Sequence, residues 1–506
     1  MPLATVYTRA QIGLDAPQVI CEVHLSGGLP GLSIVGLVGT AIKESRERVR
    51  AAIKQSGFRI PEGKITVNLA PADLPKGGSR FDLAIAVGIL AASEQVSTKH
   101  LGTTEFYGEL AFSGVIRPVR GLLPALLQAH AERRRCIVPA GCAREVSLLQ
   151  EVDSRLADHL ISVVRHLSDR EELPPIEPSE ERAEDPPLLN ALDLADVRGQ
   201  AQGRRALEVA AAGRHNLLMS GPPGTGKTML AQRLPGLLPE LTNEQIVENM
   251  LLTSMTGVEV KRSGRRPFRA PHHTSSAAAL VGGGQSPRPG EISLANHGVL
   301  FLDELPEFPR NVLEALREPL ESGTISVARA ERSISFPARF QFVAAMNPCP
   351  CGFAGDTTRE CRCSADQVRR YQQKISGPLL DRLQLRSRIG RCPPQILDRS
   401  TTGEESTATV RERVLAANAR QSRRASVPNA RLSAADVGRW CMPDREGARL
   451  LERAATRFTM SMRACDDTLR VARTIADLAA EENVRKDHVA EALALRGVNQ
   501  RGPADW

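Results

Sequence analysis

One stretch of the chain is dense in residues suited to phosphate chemistry. Gly221-Pro222-Pro223-Gly224-Thr225-Gly226-Lys227-Thr228 fits G-x-x-x-x-G-K-[ST] at every fixed position. Glycines at this spacing let backbone N–H groups turn toward a polyphosphate without side-chain clash. Lys227 has the reach for β- and γ-phosphates, and Thr228 has the hydroxyl to ligate Mg²⁺. The apolar run Leu217-Leu218-Met219 before the loop reads as a strand buried on both faces, and the helix expected after it adds a positive dipole end. A second stretch, Gly298 to Glu304 (GVLFLDE), is an apolar strand ending in two carboxylates. Asp303 is suited to hold Mg²⁺ through water and Glu304 to polarise an attacking water. A third strand, Phe340 to Met346, ends at Asn347, placed to bond the γ-phosphate or that water. Strand, phosphate loop, strand, acidic pair, strand and polar sensor together spell a hydrolase of ATP with Mg²⁺ as cofactor.

Two other clusters have chemical potential. Cys349, Cys351, Cys361 and Cys363 form C-x-C, nine residues, C-x-C, and four thiolates on a short loop suit tetrahedral zinc. C-x-C is tighter than the usual C-x₂-C, so four free thiols remain the alternative. Between the phosphate-loop helix and Asp303 lies an insertion, residues 242–296, holding Lys261, Arg262, Arg265, Arg266 and Arg269. It reads either as a solvated basic loop or as a pore loop touching nucleic-acid phosphates. His272 and His273 within it are adjacent without a nearby third ligand, which is weak support for a metal. Residues 321–337 read as a hairpin with Arg329 and Arg332 near its tip, a second candidate DNA contact.

The elements that must position these residues follow from composition and pattern. At 506 residues the chain has room for two to four domains, and 42% apolar residues are enough for packed cores. Aromatic content of 3% weakens any case for base stacking, while a net charge of +8 suits a polyanionic partner. Residues 1–11 lack an apolar signal region and no run of 18 apolar residues occurs, so a cytoplasmic protein with no membrane contact is expected. Ten cysteines in that setting are thiols or metal ligands.

Residues 1–167 read as a compact α/β unit, with strands at Val19–Leu25, Lys64–Leu69 and Cys136–Pro139 and helices at Thr40–Gln55 and Phe81–Ala92. Residues 168–190, rich in Pro and Glu, bury too little apolar surface to fold and read as a linker. Residues 191–400 form the ATPase core with the basic insertion 242–296 and the Cys loop 349–363. Residues 408–501 form a helical region, periodic from Leu469 to Glu482.

The N-terminal region resembles the proteolytic domain of Lon proteases, most clearly at PKGGSRFDLAIAVGIL (75–90) and GELAFSGVIRPVRGLLPALLQAH (108–130). The catalytic Ser of that family falls at Asp82 and its Lys at Leu123, so the resemblance implies the fold without the protease dyad. The whole chain resembles the YifB/ComM family of magnesium-chelatase-like AAA+ proteins. The matching stretches include LSGGLPGLSIVGL (25–37), RAPHHTSSAAALVGGG (269–284), GVLFLDELPEF (298–308), NPCPCG (347–352), SGPLLDR (376–382) and LRVARTIADLA (469–479). The resemblance implies an α/β architecture: a Lon-like domain, an AAA+ core on a parallel sheet and a C-terminal helical lid. It also implies a homo-hexameric ring, a DNA helicase that promotes branch migration in natural transformation. By motif it makes Arg382 an arginine finger and Arg463 a sensor-2 arginine. A chelatase motor serving a tetrapyrrole is the alternative, which the ATPase core fits and the Lon-like domain does not. An ATP-dependent protease is disfavoured by Asp82 and Leu123.

Overall fold

The computed structural model describes residues 3–36, 40–74, 76, 78–179, 192–284, 287–328, 333–356, 358–391 and 404–497. Arg329 and Arg332 lie outside the described residues, as do residues 180–191 of the expected linker.

Two sheets organise the chain. The N-terminal sheet uses β1 (Leu3–Arg9), β2 (Gln18–Ser26), β3 (Gly31–Val35), β4 (Lys64–Ala70) and β5 (Thr104–Phe106). The short antiparallel pair β6 (Glu109–Leu110) and β7 (Ile116–Arg117) follows, then β8 (Arg135–Pro139) and β9 (Ser154–Ala157). The strand order is β3-β4-β2-β1-β5-β8-β9, with β2 antiparallel to both its neighbours and the remaining pairs parallel. The helix Asp82–Ala92 is buried along its whole length against β1 and β2, which explains why every residue after Asp82 is apolar or glycine.

Residues 168–179 depart from the expected linker. Leu173 is 5% exposed, the Leu156 N–H donates to Pro174 O (3.0 Å) and the Ile176 N–H donates to Ser154 O (3.2 Å). Leu173 and Ile176 give the Pro/Glu-rich segment enough apolar surface to follow the β9 edge, despite its composition.

The second sheet carries the phosphate loop. β10 (Leu217–Ser220), β11 (Phe268–Arg269), the pair β12 (Gly282–Gly283) and β13 (Arg288–Pro289), β14 (Val299–Leu302), and the hairpin β15 (Thr324–Ala328) and β16 (Ser333–Pro337) come first, then β17 (Gln341–Met346) and β18 (Leu385–Arg388). Its order is β11-β14-β17-β10-β18 and every pair is parallel. All residues of β10, β14 and β17 are buried, the signature of a parallel sheet covered on both faces. Helices Ala201–Gly213 and Lys227–Leu237 pack with C-terminal helices over one face, and Leu302, Phe308, Phe336 and Leu379 belong to the apolar layer over the other. Each such side chain contributes roughly 1.5–3 kcal/mol by leaving water. The C-terminal helices Thr407–Ala425, Ala434–Trp440, Arg445–Phe458, Met462–Leu478 and Lys486–Leu495 complete the chain.

Candidate ATP site and the opposite sheet edge

Parallel strands place their C-terminal ends at one edge, and there the candidate residues meet. Gly221 takes a backbone bond from its N–H to Met346 O (3.2 Å), and a Cβ on it would lie 2.1 Å from Ile389 O. Only glycine fits where the loop leaves the sheet this closely. Gly224 and Gly226 have φ of 76° and 88°, so the loop coils back before the helix Lys227–Leu237 starts. Lys227 is buried, and its Nζ donates to Gly221 O (2.7 Å), Pro222 O (2.8 Å) and Asn347 Oδ1 (3.2 Å). Burial pulls its pKa down, opposed by Asp303 and Glu304. The Thr228 hydroxyl donates to Asp303 Oδ2 (2.6 Å), and the Asp303 Oδ1 accepts the Glu304 N–H (2.9 Å). Thr228 and Asp303 therefore share one point where a hard, oxygen-seeking cation fits. Glu304 is left-handed at φ 52°, a backbone strain on the order of 1–3 kcal/mol that concentrates at functional positions.

Two residues take a place at this edge that the sequence does not assign them; from sequence His273 reads only as a weak metal ligand. His273 Nδ1 lies 3.4 Å from Glu304 Oε2 and packs edge-on against Phe308, so this histidine faces the acidic pair. Gln200 Nε2 donates to Thr225 O (3.1 Å) and Gly390 O (2.8 Å), tying the phosphate loop to the end of β18. Gln200 has no local motif that marks it, and the stretch 269–284 that holds His273 gives no sign that it faces Glu304.

The four cysteines converge beside this edge. All four Sγ atoms lie within 4.8 Å of one another. Three of the separations are 3.3, 3.7 and 3.6 Å. Tetrahedral zinc with Zn–S bonds of about 2.3 Å spaces its sulfurs by about 3.8 Å, so the residues fit that ion. The loop also touches the phosphate loop: a Cβ on Gly352 would lie 2.7 Å from Pro223 Cδ.

Arg382 and Arg463 lie elsewhere. Arg382 precedes β18 and its carbonyl accepts from Asn216, which precedes β10, so it sits at the N-terminal edge of the sheet. The four residues of β10 separate the two edges by about 13 Å. The Arg382 guanidinium is buried and donates to Glu321 Oε2 (2.6 Å) and Pro378 O (2.7 Å). Arg463, in the first turn of the helix Met462–Leu478, has its NH1 3.8 Å from the other oxygen of Glu321.

The basic insertion is not a free loop. It contains the helix Asn243–Ser254, and Ile246, Met250 and Val260 share a core with Leu122, Leu126 and Leu149 of the N-terminal region. Three of its expected phosphate ligands are committed to the fold. Arg266 is buried and donates to Pro239 O, His297 O and Glu240 O; burial lowers its pKa to about 10. Arg269 forms a two-point pair with Glu291, both bonds 2.6 Å. Arg262 donates to Leu148 O (3.1 Å) and Asn243 Oδ1 (3.3 Å), bridging to the N-terminal region. Lys261 and Arg265 are exposed. Asp82 is buried and paired with Arg48 (2.7 Å), and Leu123 is fully buried, so these two residues do not form a nucleophile and base.

Three family models match the chain. Residues 193–397 match the model described as "Magnesium chelatase, subunit ChlI", 21–141 "Subunit ChlI of Mg-chelatase", and 404–496 "Magnesium chelatase, subunit ChlI C-terminal". Full-length relatives are similar throughout. Competence protein ComM of Haemophilus influenzae is 49% identical over 98% of this chain and 98% of its own length. The uncharacterized protein YifB of Salmonella typhimurium is 48% identical over 99% of this chain and 98% of its own. The chain belongs to the YifB/ComM family. It is a magnesium-chelatase-like AAA+ protein, a family that uses ATP and Mg²⁺. One expectation changes with these matches: the N-terminal region does not separate the chain from chelatases, because the model covering 21–141 carries that subunit's description too. Among the described residues no helix is long and apolar enough to cross a membrane.

Proposed function

We propose that this protein is an ATP-driven ring motor acting on DNA, a homo-hexameric helicase that promotes branch migration during recombination in natural transformation. The observation that carries the reading is the split of the catalytic set. Lys227, Thr228, Asp303, Glu304 and Asn347 gather at one sheet edge, while Arg382 and Arg463 gather at the other. Arginines that far from their own phosphate loop can reach a neighbouring copy's site through a head-to-tail contact, and such contacts close into rings or run on as open filaments; the ring is the form proposed here. The ComM relative's name supplies the competence context.

In this reading the glycine-loop N–H groups and Lys227 bind the β- and γ-phosphates. Thr228 and Asp303 would hold Mg²⁺, which would supply charge neutralisation on the phosphates. Glu304, oriented by its left-handed backbone, takes a proton from the attacking water. Asn347, bonded to Lys227, positions the water or the γ-phosphate. Arg382 from the adjacent subunit stabilises charge on the transferring group, and Arg463 adds a second cation. Cys349, Cys351, Cys361 and Cys363 would hold zinc, which would fix the loop that follows Asn347. Exposed Lys261 and Arg265 contact DNA phosphates without reading sequence. The N-terminal domain keeps a Lon-like fold for assembly or binding.

The second reading, a chelatase-type motor, is favoured by the names of the three matching models. Measuring ATP turnover with single-stranded DNA and with porphyrin plus partner subunits separates the two. Branch migration of a synthetic DNA junction, dependent on ATP and abolished by Glu304→Gln, is the expected outcome. Stimulation by porphyrin alone, with junctions left unmoved, contradicts the DNA reading.

A further inference from the structure

A cavity of about 680 Å³ opens at the N-terminal ends of β10, β17 and β18, between the ATPase core and the C-terminal helices. Asn216, Gln341 and Gln384 mark those strand ends in its wall, so it lies across the sheet from the chain's own phosphate loop. Its lining carries five arginines against three carboxylates.

Sorting those groups by partner isolates three. Arg470 donates to Asp467 Oδ1 (2.8 Å) and to Leu432 O. Arg463 shares Glu321 with Arg382. Arg214, Arg339 and Arg431 have no side-chain hydrogen bond or close ion pair among the described residues; one lining carboxylate, Asp466, remains against them, and outside the lining Glu248 lies within electrostatic reach of Arg339. Arg214 NH2 is buried with no hydrogen-bond partner at all. Arg214 caps the helix Ala201–Gly213 in the left-handed conformation, φ 57°, which turns the chain toward the cavity.

The three cations also oppose one another. Burial, then Arg266 and Arg431, push the Arg214 pKa well below its ordinary value; burial and then Arg339 lower that of Arg431. Guanidinium does not shed its proton in proteins, so the charge persists and is stabilised by an anion. Guanidinium forks match phosphate oxygens two at a time. The cavity has the volume of a small-molecule site and is far too small for a DNA duplex.

We propose that this cavity is a second phosphate site, taking a diphosphate-class anion on Arg214, Arg339 and Arg431. The site does not depend on the DNA reading. The anion has two sources: a free diphosphate, or the phosphates of a nucleotide presented by a second copy of the chain.

The test uses the full chain carrying Lys227→Ala, which disables the phosphate loop, titrated with pyrophosphate by calorimetry. One site per chain is expected. Adding Arg431→Gln, or Arg339→Gln, is expected to weaken binding at least tenfold, whereas Arg453→Gln on an exposed helix face leaves it unchanged. A thermal-shift series on the same proteins reads occupancy independently: pyrophosphate raises the melting temperature of Lys227→Ala and not that of the pocket variants. ATP-driven assembly of Arg431→Gln in the otherwise native chain separates the sources. Lost assembly assigns the neighbour's nucleotide; retained assembly assigns a free anion. No pyrophosphate binding by Lys227→Ala, equal binding by the pocket variants, or an equal loss in Arg453→Gln overturns the proposal.

Discussion

The Arg382 guanidinium and the Glu321 carboxylate meet at 2.6 Å on the sheet edge away from the phosphate loop, and Arg463 approaches the same carboxylate at 3.8 Å. Arg382 lowers the pKa of Glu321, so that carboxylate stays ionised through neutral pH. Both arginines are thus held on one surface by one acid. Glu321→Gln keeps the side chain's size and removes the charge. ATP affinity is expected to stay within about twofold while turnover shifts, because a looser Arg382 samples more positions. A fall in ATP affinity of tenfold or more would mean that Glu321 supports the chain's own nucleotide site instead.

The cysteine cluster is expected to bring about one zinc per chain, with affinity that falls as pH drops because thiolates must lose protons to bind. Elemental analysis of protein purified without chelators reads the metal. Cys361→Ser is expected to release it and also to slow ATP turnover, because Cys349 lies two residues beyond Asn347 and Gly352 packs on Pro223. Absent zinc, with all four thiols freely alkylated, rejects the site.

Glu145 sets a pH dependence in the N-terminal region. Burial raises its pKa from 4.5 to about 7, and its Oε1 is buried without a partner. A carboxyl with a raised folded pKa is bound to its proton more tightly when folded. Its contribution is therefore fully favourable below the unfolded value and declines as pH climbs toward 7. Glu145→Gln is expected to flatten the loss of urea stability between pH 4.5 and 7 and to raise stability at pH 8. An unchanged pH profile would assign the titration elsewhere.

DNA binding separates Lys261 and Arg265 from Arg266. Lys261→Ala with Arg265→Ala is expected to weaken binding about equally across sequences and to flatten the salt slope by roughly one to two units. Arg266→Ala is expected to lower thermal stability first, since it leaves the carbonyls of Pro239 and His297 unpaired at a cost of about 1–3 kcal/mol each. Unchanged affinity and slope in the double variant move the DNA surface away from this insertion.

The pattern of success in reading the sequence follows from range. The phosphate loop was legible because its chemistry is set by glycine spacing within eight residues, and Asp303, Glu304 and Asn347 because apolar strands announce their own C-terminal ends. Arg266 was misread because an arginine that binds phosphate and one that ties down three carbonyls share the same local sequence. Its acceptors lie at Pro239, Glu240 and His297, up to 31 residues away. His273 meets Glu304 only through the packing of the insertion across the sheet edge. The 168–179 segment has a linker's composition, and Leu173 and Ile176 alone were enough to dock it.

The proposed ring requires ATP hydrolysis between subunits, with Arg382 completing a neighbour's site. The most direct measurement mixes two inactive variants under conditions of subunit exchange. Lys227→Ala lacks a working phosphate loop and keeps Arg382. Arg382→Ala keeps the loop and is expected to bind ATP nearly normally and to turn it over about 10³- to 10⁵-fold more slowly. Where a Lys227→Ala subunit presents its Arg382 to an Arg382→Ala neighbour, one intact site forms, so the mixture is expected to regain ATP turnover that neither variant has alone. If the mixture stays inactive while each variant exchanges freely with the native chain, Arg382 does not act across the interface.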